Sequence, residues 1–425
     1  MRETEINYEF LFREAENRAG RLASILSDLI KIDTSIPPGK NYELMADFLE
    51  PHLEKAGFKC ERVIVPEERW KKIPLPLEGP RVNLVGKIRK GKRPLSIYAH
   101  MDVVPAGTGW TVPPFEGIIK DGKVYGRGAV DMKGSIPPVI VATEILRDLE
   151  IEPDFDVTFC LCTDEEIGID PGAAYLAELG YFTPPIIHLE GGGQGPAMVA
   201  ANSGVLHAVI KVVGKEAHSG LSFTGINALE EAVGVLVELK RLKEVVESRE
   251  SSYPALPIPK TPSDKLTPTF NINILKAGEK LNVIPGIATI EIDRRFLPEE
   301  DLKDVKGEII DAIERARRSS RAVSIDVEFE VLYQNHEIDV TSGHVERWCQ
   351  GVRLALGYPP DTPFLFVGSN GATDMSFVGK ILRTREFVGT GVIDAEHIAA
   401  HGPDECVPIA NMVNLCKELI YFLVR

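Results

Sequence analysis

The sequence predicts an α/β protein: a sheet domain covered by helices, interrupted by a smaller β-α-β-β-α-β insert. Strand-period and helix-period apolar patterns alternate up to about residue 203, residues 204–332 form a complete unit of their own, and α/β character returns after Tyr333. A chain of 425 residues also exceeds one ordinary core, since domains run to about 150 residues.

In the opening segment, helix-period stripes cover 10–32 and 43–56, the second stopped by Gly57. Strands are expected at 82–88, 95–99, 157–162 and 186–189, with a helix over 139–149. In the middle, 204–213 reads as a strand, 228–242 as a helix, 269–275 and 288–296 as strands, 302–317 as a helix and 323–332 as a last strand. That order is ferredoxin-like. Strands at 364–368 and 387–391 and a helix over 409–423 close the chain. The expected domains are therefore 1–203 with 333–425, and an inserted 204–332.

The chain is 44% hydrophobic and 26% charged, which fits a globular protein with a sizeable core. Its net charge of -15 argues against nucleic acid and anionic membranes as partners. The charged N-terminus lacks a secretory h-region, and no apolar run reaches the roughly 18 residues that span a bilayer. A soluble, cytoplasmic protein is expected. The 6 cysteines form no C-x-x-C pair, and a period of two puts Cys160 and Cys162 on one strand face as packing.

Chemistry in such a sheet is expected at the carboxyl ends of its strands. The strand at 95–99 runs into His100-x-Asp102, an imidazole with a nearby carboxylate, which reads equally as a metal ligand with its orienter or as a surface His beside a turn Asp. Asp131, in Gly126-Arg-Gly-Ala-Val-Asp131-Met-Lys-Gly134, reads most simply as a helix N-cap or turn residue. Asp164, Glu165 and Glu166 follow a buried strand, where adjacent acids repel unless a cation or solvent intervenes; the cation is the preferred reading. His188-x-Glu190 ends another apolar strand, and His397 and His401 follow far downstream. Together these clusters point to a metal site, and carboxylate with imidazole but no thiolate suits zinc or another divalent first-row ion.

His100-x-Asp102-Val-Val-Pro105, Gly126-Arg-Gly-x-x-Asp131-Met-Lys-Gly134, Glu165-Glu166-x-Gly168 and His401-Gly-Pro-Asp-Glu405, in this order, resemble the dinuclear-zinc metallopeptidases. That family includes aminoacylase, acetylornithine deacetylase, succinyl-diaminopimelate desuccinylase, carboxypeptidase G and several dipeptidases. The resemblance implies a zinc-exopeptidase-like catalytic domain with a mixed sheet, and a lid formed by the insert. It covers all but roughly the first 30 residues.

The resemblance further implies two divalent ions per chain, zinc with cobalt as an alternative. Asp131 would bridge them, with His100 and Glu190 completing one site and Glu166 and His401 the other. Asp102 would fix the His100 tautomer, and Glu165 would be general base for a water held between the metals. In the lid, His218 resembles a residue that reaches a second copy's site, implying a homodimer. Asn282, Arg295 and the Gly371-Ala372-Thr373 loop resemble groups that hold a substrate carboxylate.

Some positions depart from the pattern. Pro137 and Pro138 stand at a helix start, Arg294 adjoins Arg295, His188 is unmatched and His397 competes with His401.

The expected activity is hydrolysis of an N-acetyl or N-succinyl amino acid, a small molecule with a free carboxylate, with dipeptidase or carboxypeptidase as the alternative. A non-catalytic binding protein is disfavoured because Glu165 and every implied ligand are present. A serine nucleophile elbow and a phosphate-binding loop are both absent.

Overall fold

The computed structural model describes residues 6–169, 172–192, 194–256, 261, 263–394 and 400–424. The chain forms two compact units: Met1–Ala200 with Ile338–Phe366 and Thr373–Arg425, and Ala201–Glu337 with Val367–Ala372. The expected insert ended at 332 and did not include the short return segment Val367–Ala372.

The first unit is organised by a six-stranded mixed sheet, in the order Lys59–Val65, Arg81–Ile88, Phe155–Cys162, Arg93–His100, Ile186–His188, Phe387–Val388. The first two strands are antiparallel additions. The others run parallel, so His100 sits level with Cys162, and His188 with Tyr98. Residues Leu95–His100 are buried throughout, the continuous run expected of a central parallel strand. This register brings the carboxyl ends of three strands together.

Helix Ile136–Asp148 packs against Ala19–Ile30 and Ile409–Leu423, while Tyr42–Lys55 lies on strand Arg81–Ile88. Pro137 and Pro138 occupy the first turn of their helix, where a missing N–H costs nothing. The single helix expected over 10–32 is instead two, Tyr8–Asn17 and Ala19–Ile30, broken at Arg18. Arg18 takes φ -99 and pairs with Asp148 at 2.8 Å. Strand Lys59–Val65 was not expected: as an edge strand it buries only Val63 and Val65, too few for a clear period-two signal.

The second unit has four antiparallel strands in the order Thr269–Ala277, Ile287–Phe296, Gly204–Val213, Ser324–Tyr333. Numbered along the insert this is 2-3-1-4, the ferredoxin-like order read from its other edge. Leu206, Ala208, Ile210 and Val212 alternate onto one face, where Ile290 and Ile292 join them against Val235 and Leu239 of one helix and Val305 and Ile309 of the other. The helices start on side-chain caps, Asn227 accepting from the Leu229 and Glu230 amides and Asp301 from the Lys303 amide.

One buried acid belongs to packing alone. Glu418, on helix Ile409–Leu423, is 1% exposed and accepts a 2.6 Å hydrogen bond from Thr390 Oγ1; among the described residues its Oε1 has no hydrogen-bond partner. Burial pushes this carboxyl up to about 8, against the smaller opposing effect of Thr390. An unfolded glutamate ionises near about 4.3, so between roughly pH 4 and pH 8 the native state holds the extra proton and stability falls as pH rises. Glu418→Gln should therefore be more stable than the parent at pH 8, by on the order of 1–3 kcal/mol, with the difference vanishing near about pH 4. Denaturant midpoints across that pH range measure it; a constant difference would place the Glu418 titration elsewhere.

Candidate metal centre

His100 ends its strand fully buried. Its Nδ1 lies 3.1 Å from the Asp102 carbonyl and its Nε2 3.1 Å from Asp131 Oδ1. Asp102, also fully buried, accepts from the Glu166 amide at 3.0 Å. The acid next to His100 thus orients the loop that carries Glu165 and Glu166.

That loop follows strand Phe155–Cys162. Asp164 adopts left-handed backbone at φ 67 and starts a short turn over Glu165–Ile167. Its carboxylate faces away from its two neighbours, lying 3.2 Å from Arg81 Nε and accepting from Tyr42 Oη at 3.1 Å. Three adjacent acids were expected to need one cation between them. Instead Asp164 has its own counter-charge, and only Glu165 and Glu166 are left to the cluster.

Glu165 and Glu190 gather with His100, and Asp131 and Glu166 gather with the same His100, each group placing its donor atoms within 4.8 Å of one another. His401 Nε2 stands 3.1 Å from Glu166 Oε2 and 3.4 Å from Asp131 Oδ2. The two oxygens of Asp131 therefore face two different imidazoles, Oδ1 toward His100 and Oδ2 toward His401. A carboxylate placed in this way can bridge.

Burial raises Glu165 well above the usual carboxylate range, helped by the charge of Glu190. Burial, then the charge of Asp131, pushes Glu166 and Glu190 each up to about 7. Asp131 is also penalised by burial, yet His100 and His401 hold it low. Hydrogen bonds to Asp131 and Glu166 push His401 up to about 10. Crowded, buried oxygen donors with imidazoles and no thiolate suit divalent first-row ions. The residues present fit such a pair of ions.

Two features that sequence reasoning did not assign hold these donors. Glu405, fully buried, accepts from the amides of Gly128 (3.1 Å), Val130 (2.8 Å) and Asp131 (3.2 Å) and from Arg127 Nη1 (2.6 Å). His188 is not in either donor group; its Nε2 lies 2.9 Å from Glu190 Oε2 and 3.2 Å from Thr373 Oγ1. Both Arg127 and Glu405 stand inside motifs visible in the sequence, but 278 positions separate them, and no local pattern pairs them. Gly126 is required where it stands: its φ is +148, and a Cβ there would lie 2.5 Å from Ile30 Cγ2.

The remaining expected residues are divided between the two units. Thr373 is buried against His188 in the first unit, apart from Gly371 and Ala372 in the second. The Gly371 amide donates to Ser369 Oγ at 3.0 Å. Arg294 is buried and bonded to Glu300 at 2.7 Å, whereas Arg295 is partly exposed, with Nε 3.2 Å from Asp293 and Nη1 3.4 Å from the Asn370 carbonyl. Of the two, only Arg295 has a guanidinium open to a ligand. His218 is exposed and accepts from the Gly220 amide at 3.0 Å, capping the turn Ser219–Thr224. Asn282 is exposed and its carbonyl accepts from the Ser219 amide at 3.0 Å. His397 falls outside the described residues.

Among the described residues no helix is long and apolar enough to cross a membrane. An acetylornithine deacetylase of Photorhabdus laumondii is 28% identical over 385 residues, covering 89% of each chain. A probable succinyl-diaminopimelate desuccinylase of Staphylococcus epidermidis is 28% identical over 297 residues, covering 66% of this chain and 69% of that protein. The fold is similar to that of an M20 family metallo-carboxypeptidase of Sulfolobus solfataricus, with a TM-score of 0.73 and 19% identity over 94% of this chain and 97% of that one. Residues 96–425 match peptidase family M20/M25/M40, and the chain belongs to that family.

Proposed function

We propose that this hydrolase of amide bonds removes the acyl group, acetyl or succinyl, from an N-acyl amino acid. The observation that carries the reading is the pair of donor groups around His100, with Asp131 turned toward two imidazoles and Glu165 buried beside them. His100, Asp131, Glu166, Glu190 and His401 would hold two divalent ions, preferably zinc. When bound, such ions polarise a carbonyl and lower the pKa of a water. Glu165 takes a proton from the attacking water and passes it to the leaving nitrogen, while Asp102 fixes the tautomer of His100. The names of the two sequence relatives support an acyl group as the part removed. The likeness to a carboxypeptidase fold supports peptide cleavage as the second reading.

Arg295, Asn282 and the Gly371–Ala372 segment hold the substrate's carboxylate in this proposal, Arg295 being the charged partner. His218 serves a second copy's site in a homodimer. An edge supports that assembly: among the described residues strand Thr269–Ala277 has a neighbour on one side only, with Ile274 and Leu275 exposed, and Val233 and Val237 are exposed on helix Ala228–Glu247. The 6 free cysteines support a reducing, cytoplasmic setting.

The deciding assay pairs metals per chain by elemental analysis with amine release from N-acetyl, N-succinyl and dipeptide substrates. Two metals and a preferred N-acyl substrate are expected; faster release from dipeptides would select the second reading. Glu165→Gln should lower kcat about 10²–10⁴-fold with metal content unchanged, and loss of metal would move Glu165 among the ligands. Arg295→Ala should raise KM for carboxylate substrates at least about tenfold, as expected for a lost charge-assisted contact, while Arg294→Ala mainly lowers the denaturation midpoint. The opposite ranking would reassign the clamp. Sedimentation equilibrium should give a dimer that Ile274→Lys with Val237→Lys converts to monomer; a monomeric parent would remove His218 from the mechanism.

A further inference from the structure

The Asp131 and His401 donors come from chain segments far apart in sequence, and each sits on backbone that does not hold itself. Asp131 follows a glycine-rich turn with Gly126 at φ 148 and Gly128 at φ 86. His401 and Asp404 are both left-handed, at φ 64 and φ 56, a conformation that a non-glycine residue keeps only when its surroundings impose it. Neither segment is a regular helix or strand whose own hydrogen bonds would fix the ligand.

We propose that the buried Arg127–Glu405 ion pair is a positioning strut that sets Asp131 against His401, and so determines how tightly this site binds metal. Glu405 spends one oxygen on the Val130 and Asp131 amides and the other on the Gly128 amide and Arg127. Arg127 turns its second nitrogen to the His401 carbonyl at 3.0 Å and the Ala106 carbonyl at 3.3 Å. Each residue thus binds backbone of the other's segment: Glu405 holds the turn that carries Asp131, and Arg127 holds the loop that carries His401. The crossing is reinforced at both ends, since the Gly126 amide donates to the Glu405 carbonyl at 2.9 Å and Asp404 accepts from the Thr111 amide at 2.7 Å. Arg127 is 1% exposed and Glu405 0%, so their directional bonds are made out of competition with water. A pair that merely filled the core would not need both partners aimed at ligand-bearing backbone. This inference rests on the metal-dependent reading above and adds two residues to it.

The zinc-loaded full chain, titrated with a chromophoric chelator, tests the strut. Glu405→Gln and Arg127→Met should weaken zinc binding about 10–100-fold, the usual effect of removing a group that orients a ligand, and should shift the visible absorption bands of the cobalt-loaded protein. Arg347→Met serves as control: it breaks another ion pair of a buried arginine, with the partly exposed Asp154 at 2.8 Å, and should lower the denaturation midpoint while leaving zinc affinity and cobalt bands as in the parent. Arg127→Lys keeps a charge for Glu405 but cannot also reach the His401 carbonyl, so its affinity should fall between that of the parent and Arg127→Met; it carries the test if the harsher variants do not fold. Unchanged affinity in the folded pair variants, or a loss no greater than in Arg347→Met, overturns the strut alone. A parent chain that binds neither zinc nor cobalt overturns the strut together with the metal-dependent reading.

Discussion

Charge burial is the constraint on which the rest of this structure depends. Asp131, Glu165, Glu166 and Glu190 converge on His100 at the end of a central strand, where each ionised carboxylate raises the energy of the next. The surrounding acids are treated differently. Asp164 has Arg81, Glu405 has Arg127 and three amides, and Asp102 has the Glu166 amide beside His100. Asp164, Asp102 and Glu405 are thereby held at the edge of the cluster, whereas Asp131, Glu165, Glu166 and Glu190 face a common point where a shared cation would offset their charge.

The sheet supplies the place. Three adjacent parallel strands end at the same edge of the sheet, His100 level with Cys162 and His188 two residues short of them, so the loops leaving them start close together. Left-handed backbone at Asp164 then turns one acid out of the cluster and the next two into it. The positive φ at Gly126 and Gly128 lets the Asp131 turn approach a helix and a neighbouring loop more closely than a side chain permits. At Asp164, Gly126 and Gly128, local conformation is in this sense subordinate to the charge problem.

Much of this was legible in the sequence, for physical reasons that can be named. Strands such as Arg93–His100 and Phe155–Cys162 are buried on both faces and read as continuous apolar runs, and the donors stand directly at their ends. The insert was legible because its strands alternate and its helices carry periodic stripes. Edge strand Lys59–Val65 was missed because so little of it is buried, and the break at Arg18 because apolar periodicity continues across it. The partners of the donors were illegible for another reason. That Asp164 answers to Arg81, His188 to Thr373, and Glu405 to Arg127 depends on contacts between distant segments, which composition and spacing do not encode.

The division of the chain has a chemical counterpart. Every donor in the cluster comes from the first unit, while Arg295, Asn282, Gly371, Ala372 and His218 all come from the second. Metal chemistry is demanding in geometry, and a displacement of one donor by about 1 Å is enough to spoil it. The carboxylate contact proposed for Arg295, whose side chain is partly exposed, tolerates far more change around it. On the proposed roles, the donors belong to the first unit and the recognition groups to a separately cored insert, so the latter can vary without disturbing the former. The same separation explains why the sequence speaks more clearly about the reaction than about the substrate: the donors are fixed by charge and burial, whereas the residues proposed to hold the substrate sit partly or fully exposed, where many residues would serve.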